Sequence, residues 1–383
     1  MEYRTLGRTG LEVSAVSLGT EYLINLPRRR VVGVIREAVA RGINYFDLFF
    51  AQPAFRDNMG AAFYGRRKRV LLAAHLGAVE KDAQYQKTRD LRLAAEFFED
   101  FLARYRTGYA DVLFLHNCDS PSDYAAVMDP HGLVGLAKRF QKEGKARFIG
   151  FSTHTVSTAL KAVASPHIDV LMFPISAAGN AVPGRKALFA ACAARNIGLV
   201  AMKPYAGGKL LSGARTLELE RWHLGGKPAR LTKSAHAERL LARITPVRCL
   251  SYVLAQPGVS TVVPGCKNKR ELAAALRYFG APPAERDFSS LVSRYKTHVK
   301  GQCVYCNHCL PCPSKIDIGA TIRALESARG VRPGGRQGAP SGRRRERGVN
   351  PTACIECGAC VRRCPFGVDV IAAMRKAARF LRQ

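Results

Sequence analysis

Short, nearly unbroken apolar runs recur along the first three-quarters of the chain, with amphipathic stretches between them. The runs are Val16–Gly19, Asn44–Asp47, Val70–His75, Asp111–His116, Ala146–Ser152, Val170–Pro174, Gly198–Lys203 and Thr261–Pro264. Near-continuous apolarity over so few residues predicts parallel strands buried on both faces. The intervening patterns predict helices at Arg29–Arg41, Asn58–Phe63, Leu91–Tyr105, Gly132–Gly144, Thr155–Ala164, Gly184–Arg195 and Lys267–Tyr278. Leu91, Ala94, Ala95, Phe98, Leu102 and Tyr105 mark one face of a helix of period 3.6. Ahead of the first run, Glu2–Leu6 and Leu11–Ser14 flank Gly7-Arg8-Thr9-Gly10 and predict a small hairpin.

Eight strands with helical crossovers predict an α/β fold, the (β/α)8 TIM barrel. An open doubly wound sheet is the competing arrangement, but no Gly-x-Gly-x-x-Gly follows the first strand. The stretch Pro204–Pro246 is long for a strand-to-helix connection, and reads as a lid or equally as a surface insertion. The pattern breaks at Tyr278–Arg286, which places a barrel at residues 1–282 and a second domain at 283–383. A further break at residues 329–348, rich in Gly, Pro and Arg, predicts a mobile basic loop.

Apolar residues make up 47% and charged residues 23%, enough for a sizeable core and too little bias for wholesale disorder. No apolar run approaches the length of a membrane span, and Met1-Glu2-Tyr3-Arg4 opens no secretory signal, so a cytoplasmic location without membrane partners is expected. Two quantities depart from the ordinary. Lys and Arg total 60 against 29 Asp and Glu, a formal charge of +31. Of 12 cysteines, eight lie beyond residue 300. In a chain without an export signal, such clustering points to metal rather than disulfides.

Cys303, Cys306, Cys309 and Cys312 form C-x2-C-x2-C-x2-C-P, and Cys354, Cys357, Cys360 and Cys364 form C-x2-C-x2-C-x3-C-P. Two-residue gaps let successive thiolates wrap one inorganic core, and the second run resembles that of bacterial ferredoxins. Zinc is the alternative, but zinc sites usually draw on two separated pairs, whereas each run here supplies four ligands. The ferredoxin resemblance implies two [4Fe–4S] clusters in which the fourth cysteine of each run serves the other cluster. Cys303, Cys306, Cys309 and Cys364 would then hold one, and Cys354, Cys357, Cys360 and Cys312 the other. Ile316–Ala328 and Val368–Leu381 follow the Cys-Pro pairs and predict helices, as in the helical type of ferredoxin module. Cys118, Cys192, Cys249 and Cys266 are scattered and read as core or loop thiols.

The segment Leu6-Gly7-Arg8-Thr9-Gly10-Leu11-Glu12-Val13-Ser14 through Leu18-Gly19-Thr20 resembles the start of aldo-keto reductases. Further echoes follow in family order: Gly42-Ile43-Asn44-Tyr45-Phe46-Asp47, Asp111-Val112-Leu113-Phe114-Leu115-His116, Gly150-Phe151-Ser152, Val200-Ala201-Met202-Lys203-Pro204 and Val263-Pro264-Gly265. With the cysteine runs, the chain is similar to the bacterial branch that joins this barrel to a ferredoxin. The resemblance implies carbonyl reduction by a cluster of Asp, Tyr, Lys and His at the barrel mouth, with hydride from NADPH and a proton from the Tyr. Asp47 and His116 occupy two of those positions. The Tyr position is Gln52 and the Lys position is His75, so His75 is the candidate replacement acid beside Asp47. Tyr45, Tyr64 and Tyr85 lie nearby in sequence.

For the cofactor, the resemblance implies a nicotinamide grip at Ser152, altered here by Thr153, His154 and the Met172-Phe173-Pro174 end of the sixth strand, and Lys203 is a further candidate cofactor-binding residue. It implies a phosphate grip at Gly207 and Gly208 and at Gly265, Lys267, Asn268 and Arg270, where a helix N-terminus favours anions. NADP(H) and a flavin are both open. Nicotinamides pass electrons as hydride and clusters pass them singly, so their junction calls for a two-to-one converter or a radical-tolerant substrate. The expected function is an iron–sulfur oxidoreductase acting on a small molecule. The alternatives are a non-catalytic electron-transfer subunit and, third, a basic nucleic-acid-binding protein. The charge suits an acidic ferredoxin or flavodoxin as donor, or else a solvated basic face; no nucleic-acid-binding motif is present.

Overall fold

The computed structural model describes residues 1–211, 244–294, 301, 303–329 and 349–380. Most of the Pro204–Pro246 excursion and residues 330–348 of the basic loop lie outside the described residues. By packing, the described chain divides into two compact units. The first holds residues 1–83, 87–205 and 244–294; the second holds 84–86, 206–211 and the described residues from 301 onward.

All eight expected strands form one parallel sheet in chain order: Leu18–Gly19, Tyr45–Leu48, Leu71–Leu76, Ala110–Leu115, Ala146–Ser152, Val170–Pro174, Gly198–Met202 and Val259–Val263. The sheet closes on itself. Ser17 N donates to Val262 O at 2.8 Å, Gly19 N to Pro264 O at 3.0 Å, and Val262 N to Ala15 O at 3.0 Å. Closure removes both sheet edges, and the inward side chains become the core. Tyr45, Ala73, Val112, Phe114, Val170, Met172, Val200 and Val263 share that core with Leu6, Leu11 and Val13 of the N-terminal hairpin. The hairpin pairs Tyr3 with Ser14 and Thr5 with Glu12. Gly150 has a steric reason: a Cβ there would lie 2.4 Å from the Phe114 ring, which itself lies 5.0 Å from the His75 ring.

Several elements add to the expected set, among them helix Pro246–Leu254. Ala78–Lys81 and Gln84–Lys87 form a two-stranded hairpin whose turn residues, Asp82 and Ala83, hold φ of 54° and 58°. Glycine usually signals such a turn, and none stands here. Helix Pro121–Met128 starts at Ser120, whose hydroxyl accepts from Asp123 N at 3.1 Å, with proline in its first turn.

The second unit is built on helices Ile318–Arg329 and Val370–Phe380, close to the expected spans. Ile316, Ile318, Ile322, Val368, Val370, Met374 and Tyr305 form its small core. Cys303, Cys309, Cys312, Cys354, Cys360 and Cys364 pack against that core. Among the described residues, no helix is long and apolar enough to cross a membrane.

Candidate functional site

Asp47 lies on the second barrel strand, His75 on the third, and His116 follows the fourth. All three are buried. His75 Nε2 stands 2.8 Å from Asp47 Oδ1, and His75 Nδ1 stands 2.8 Å from His116 Nδ1. One tautomer set satisfies both contacts. His75 donates Nε2–H to the carboxylate, and His116 donates Nδ1–H to His75 Nδ1. Such an arrangement can pass a proton taken up at His116 Nε2 through Nδ1 to His75, whose other nitrogen faces the Asp47 carboxylate. Phe49 stacks on His116 at 5.8 Å, and Phe114 covers His75. Gln52, at the phenol position, donates its amide to Asn25 Oδ1 at 3.1 Å.

A second, partly buried chain lies at the same strand ends. Asp119 accepts from His154 N at 2.6 Å and from Thr153 Oγ1 at 3.0 Å, and its Oδ2 lies 3.1 Å from His154 Nδ1. Lys203 Nζ lies 3.2 Å from His154 Nε2. Lys203 holds φ of 59°, in the left-handed region, immediately after strand Gly198–Met202. Ser152 is buried beside this chain, and its carbonyl accepts from Cys118 N at 2.9 Å. Asp119 had no motif to announce it; it reaches His154 only because the fourth and fifth strands are neighbours.

Burial holds His116 well below the usual histidine range, helped by His75, Arg89, Lys87 and His154. Burial also lowers His154, although Asp119 pulls the other way. For Asp119 burial pushes upward, but the His154 charge and hydrogen bonds outweigh it, and its carboxyl is lowered. An unfolded histidine titrates near 6.5. Both rings therefore bind protons more readily in the unfolded chain, so stability is full above that pH and declines as pH falls below it. Each ring contributes at most about 1.4 kcal/mol per pH unit. Thermal denaturation of the full chain should show Tm falling on acidification below about pH 6.5; a flat Tm there would contradict the buried neutral pair.

The expected phosphate residues divide between the units. Gly265, Lys267, Asn268 and Arg270 lead into helix Lys269–Leu276. Asn268 Oδ1 accepts from Glu271 N at 2.9 Å, and Glu271 Oε2 accepts from Lys267 N at 2.8 Å. This is a reciprocal cap, so a carboxylate already sits at the helix N-terminus. The Tyr22 ring occupies the space beside Gly265, 2.3 Å from where a Cβ would stand. Lys267 and Arg270 are exposed. Gly207 and Gly208 belong to the second unit, in the left-handed region with φ of 72° and 90°.

Within the second unit, one small cavity is lined by Cys312 together with Cys354, Cys357 and Cys360. Gln84 holds Cys312 by its backbone, accepting from Cys312 N at 3.0 Å and donating to Cys312 O at 3.3 Å. Cys303 Sγ accepts from Tyr305 N at 3.3 Å. Burial pushes the Cys303 thiol up to about 11, and Cys364 adds to that push. Burial raises Cys309 further, with contributions from Cys306, Cys303, Cys364 and Cys360. Among the described residues, no three His, Cys, Asp or Glu side chains converge as ligands of one single metal ion. Cys118, Cys192, Cys249 and Cys266 are buried in the first unit.

The aldo/keto reductase family pattern matches residues 15–295, and the 4Fe-4S binding domain pattern matches residues 348–368. L-galactose dehydrogenase of Arabidopsis thaliana is 24% identical over 292 residues, covering 70% of this chain and 85% of that protein. Uncharacterized oxidoreductase YqkF of Bacillus subtilis is 24% identical over 321 residues, covering 80% and 99%. The holo form of aldo-keto reductase AKR11C1 from Bacillus halodurans matches with a TM-score of 0.62 at 20% identity, covering 78% of this chain and 98% of that one. At that identity the likeness is one of fold. The first family pattern spans most of the chain, and the barrel it describes is the one observed. The chain belongs to the aldo/keto reductase family: it is an oxidoreductase with a 4Fe–4S binding domain in its C-terminal part.

Proposed function

We propose that this oxidoreductase couples two [4Fe–4S] clusters to a redox site at the C-terminal mouth of its barrel. Cys303, Cys306, Cys309 and Cys364 hold one cluster, and Cys312, Cys354, Cys357 and Cys360 the other. The observation that carries the reading is the cavity where Cys312 joins the three leading cysteines of the second run. The donor set also fits: partly buried thiols reluctant to ionise would become thiolate ligands where a cationic core took the proton's place. Clusters supply single electrons, and a bound nicotinamide or flavin supplies or accepts hydride.

At the barrel mouth, His116 gives a proton from Nε2 to the substrate oxygen and draws its replacement through Nδ1 from His75. Asp47 fixes the His75 tautomer and balances its charge. Phe49 and Phe114 keep water from the rings. Lys203, held by His154, presents a cation beside Ser152 to the cofactor or to a carbonyl oxygen. A dinucleotide phosphate binding at Gly265, Lys267, Asn268 and Arg270 displaces the Glu271 carboxylate from the helix N-terminus. The basic surface receives an acidic ferredoxin or flavodoxin, in the cytoplasm, where thiols stay reduced.

Anaerobic purification with iron and sulfide analysis tests this directly. The expected result is about eight iron and about eight labile sulfide atoms per chain, with an EPR signal after dithionite. Zinc with no EPR signal would end the reading. A non-catalytic electron-transfer subunit is the second reading, favoured by Gln52 in the phenol position and its bond to Asn25. A cofactor extract containing neither NADP(H) nor flavin, from a chain that still takes up electrons, would support it.

A further inference from the structure

Residues 206–211 bring a cation against the segment that carries Cys303 and Cys306. A Cβ at Gly207 would lie 2.4 Å from the Val304 carbonyl oxygen, so the two backbones touch there. Two residues on, Lys209 is buried, with Nζ 3.0 Å from Glu326 Oε1 and 5.1 Å from the centroid of the Tyr305 ring. The Tyr305 hydroxyl donates to the other oxygen of the same carboxylate. The Arg323 guanidinium lies 4.8 Å from the Tyr305 ring. All of these residues belong to the second unit. Burying an ion pair costs both partners their hydration, so such a pair is a weak device for stability alone.

Its charges reach the neighbouring cysteine. Tyr305, which both Lys209 and Glu326 contact, donates its backbone N–H to Cys303 Sγ at 3.3 Å. Around the second run, the corresponding ion pair is Arg375–Glu356, whose side chains are 61% and 41% exposed and thus screened by solvent. The two cysteine sets match in number and type of ligand, so a difference between their clusters must come from surroundings.

We propose that Lys209 and Glu326 set the reduction potential of the cluster held by Cys303, Cys306, Cys309 and Cys364, Lys209 raising it and Glu326 lowering it. This rests on the two-cluster reading above. Reduction adds one electron, and hence one negative charge, to a cluster and its thiolates. A buried cation stabilises that reduced form, and a half-buried carboxylate opposes it. The pair thereby separates one cluster's potential from the other's and gives the electron a preferred resting place.

The test is an EPR-monitored redox titration of the full-length anaerobic protein, with dithionite as reductant. Lys209→Met should move one of two midpoint potentials to more negative values and leave the other in place. Glu326→Gln, which can still accept from Tyr305, should move the same midpoint in the positive direction. Lys209→Arg should stay near wild type. The proposal is overturned if both midpoints move together, if Lys209→Met and Glu326→Gln move the same way, or if neither moves at unchanged iron content. Should Lys209→Met lose iron, the opposite-sign shift in Glu326→Gln still decides. A wild-type protein with no [4Fe–4S] signal overturns the two-cluster reading instead, which separates the two failures.

Discussion

Serine in place of Cys312 will remove the cluster of the second cysteine run, and serine in place of Cys364 will remove the cluster of the first. Each variant should fall from about eight to about four iron atoms per chain while keeping one reducible cluster. The basis is spatial. Cys312 lines the cavity of Cys354, Cys357 and Cys360, and the crossed pattern then leaves Cys364 to the cluster of the first run. Double variants separate this crossed ligation from a plain sequential one. In the crossed arrangement, Cys312 and Cys354 serve the same cluster, so changing both costs one cluster. In the sequential arrangement they serve different clusters, so changing both costs two. Cys303 with Cys312 gives the reverse outcome. Iron analysis and EPR spin counting on the two double variants therefore decide between the arrangements without any knowledge of the substrate. If Cys312→Ser and Cys354→Ser together abolish all iron, the crossed arrangement is wrong.

The barrel was legible because its physics is local. A strand buried on both faces must be apolar throughout, and eight such runs stand out against amphipathic helices in this chain. The Ala78–Lys87 region escaped because its turn uses Asp82 and Ala83 at positive φ, where glycine would have marked it. At the mouth, Asp47, His75 and His116 were legible as individuals through the family resemblance, which puts them at the ends of barrel strands. Their linear order, with His75 in the middle bonded through both nitrogens, was not. Spacing along a strand says nothing about which ring nitrogen meets which partner. Asp119 and Glu271 were illegible for a related reason. One acts across two neighbouring strands, and the other folds back onto the helix terminus that the sequence alone assigned to a phosphate. A cap and an anion site use the same N–H groups, so the sequence signature of one contains the other.

His75→Ala should reduce kcat/KM for carbonyl turnover by roughly a hundred- to ten-thousand-fold, the range expected for losing a positioned proton donor. NADPH with a panel of small aldehydes is the first assay, and dithionite-reduced holoprotein with the same panel the second. The loss has two parts. The ring that stores the proton is gone, and His116 loses the acceptor that fixes its Nδ1–H. His116→Ala should therefore cost a similar factor, and the double variant little more than either single one, because the two rings act as a unit. Asp47→Asn keeps a hydrogen-bonding partner for His75 but removes the charge that balances a proton held on the chain. Its signature is a shift of the alkaline limb of the pH–rate profile to lower pH, alongside reduced kcat. A merely structural role for Asp47 would lower stability and leave that limb in place. Gln52 provides the matching control. Its amide is engaged by Asn25 and lacks an acidic proton, so Gln52→Ala should leave the pH–rate profile unchanged. If the His75 and His116 variants turn over every substrate within twofold of wild type, the proton comes from elsewhere. The hydrogen-bonded chain at the barrel mouth would then be a relic of the family's tetrad, and the electron-transfer reading would gain what the catalytic one loses.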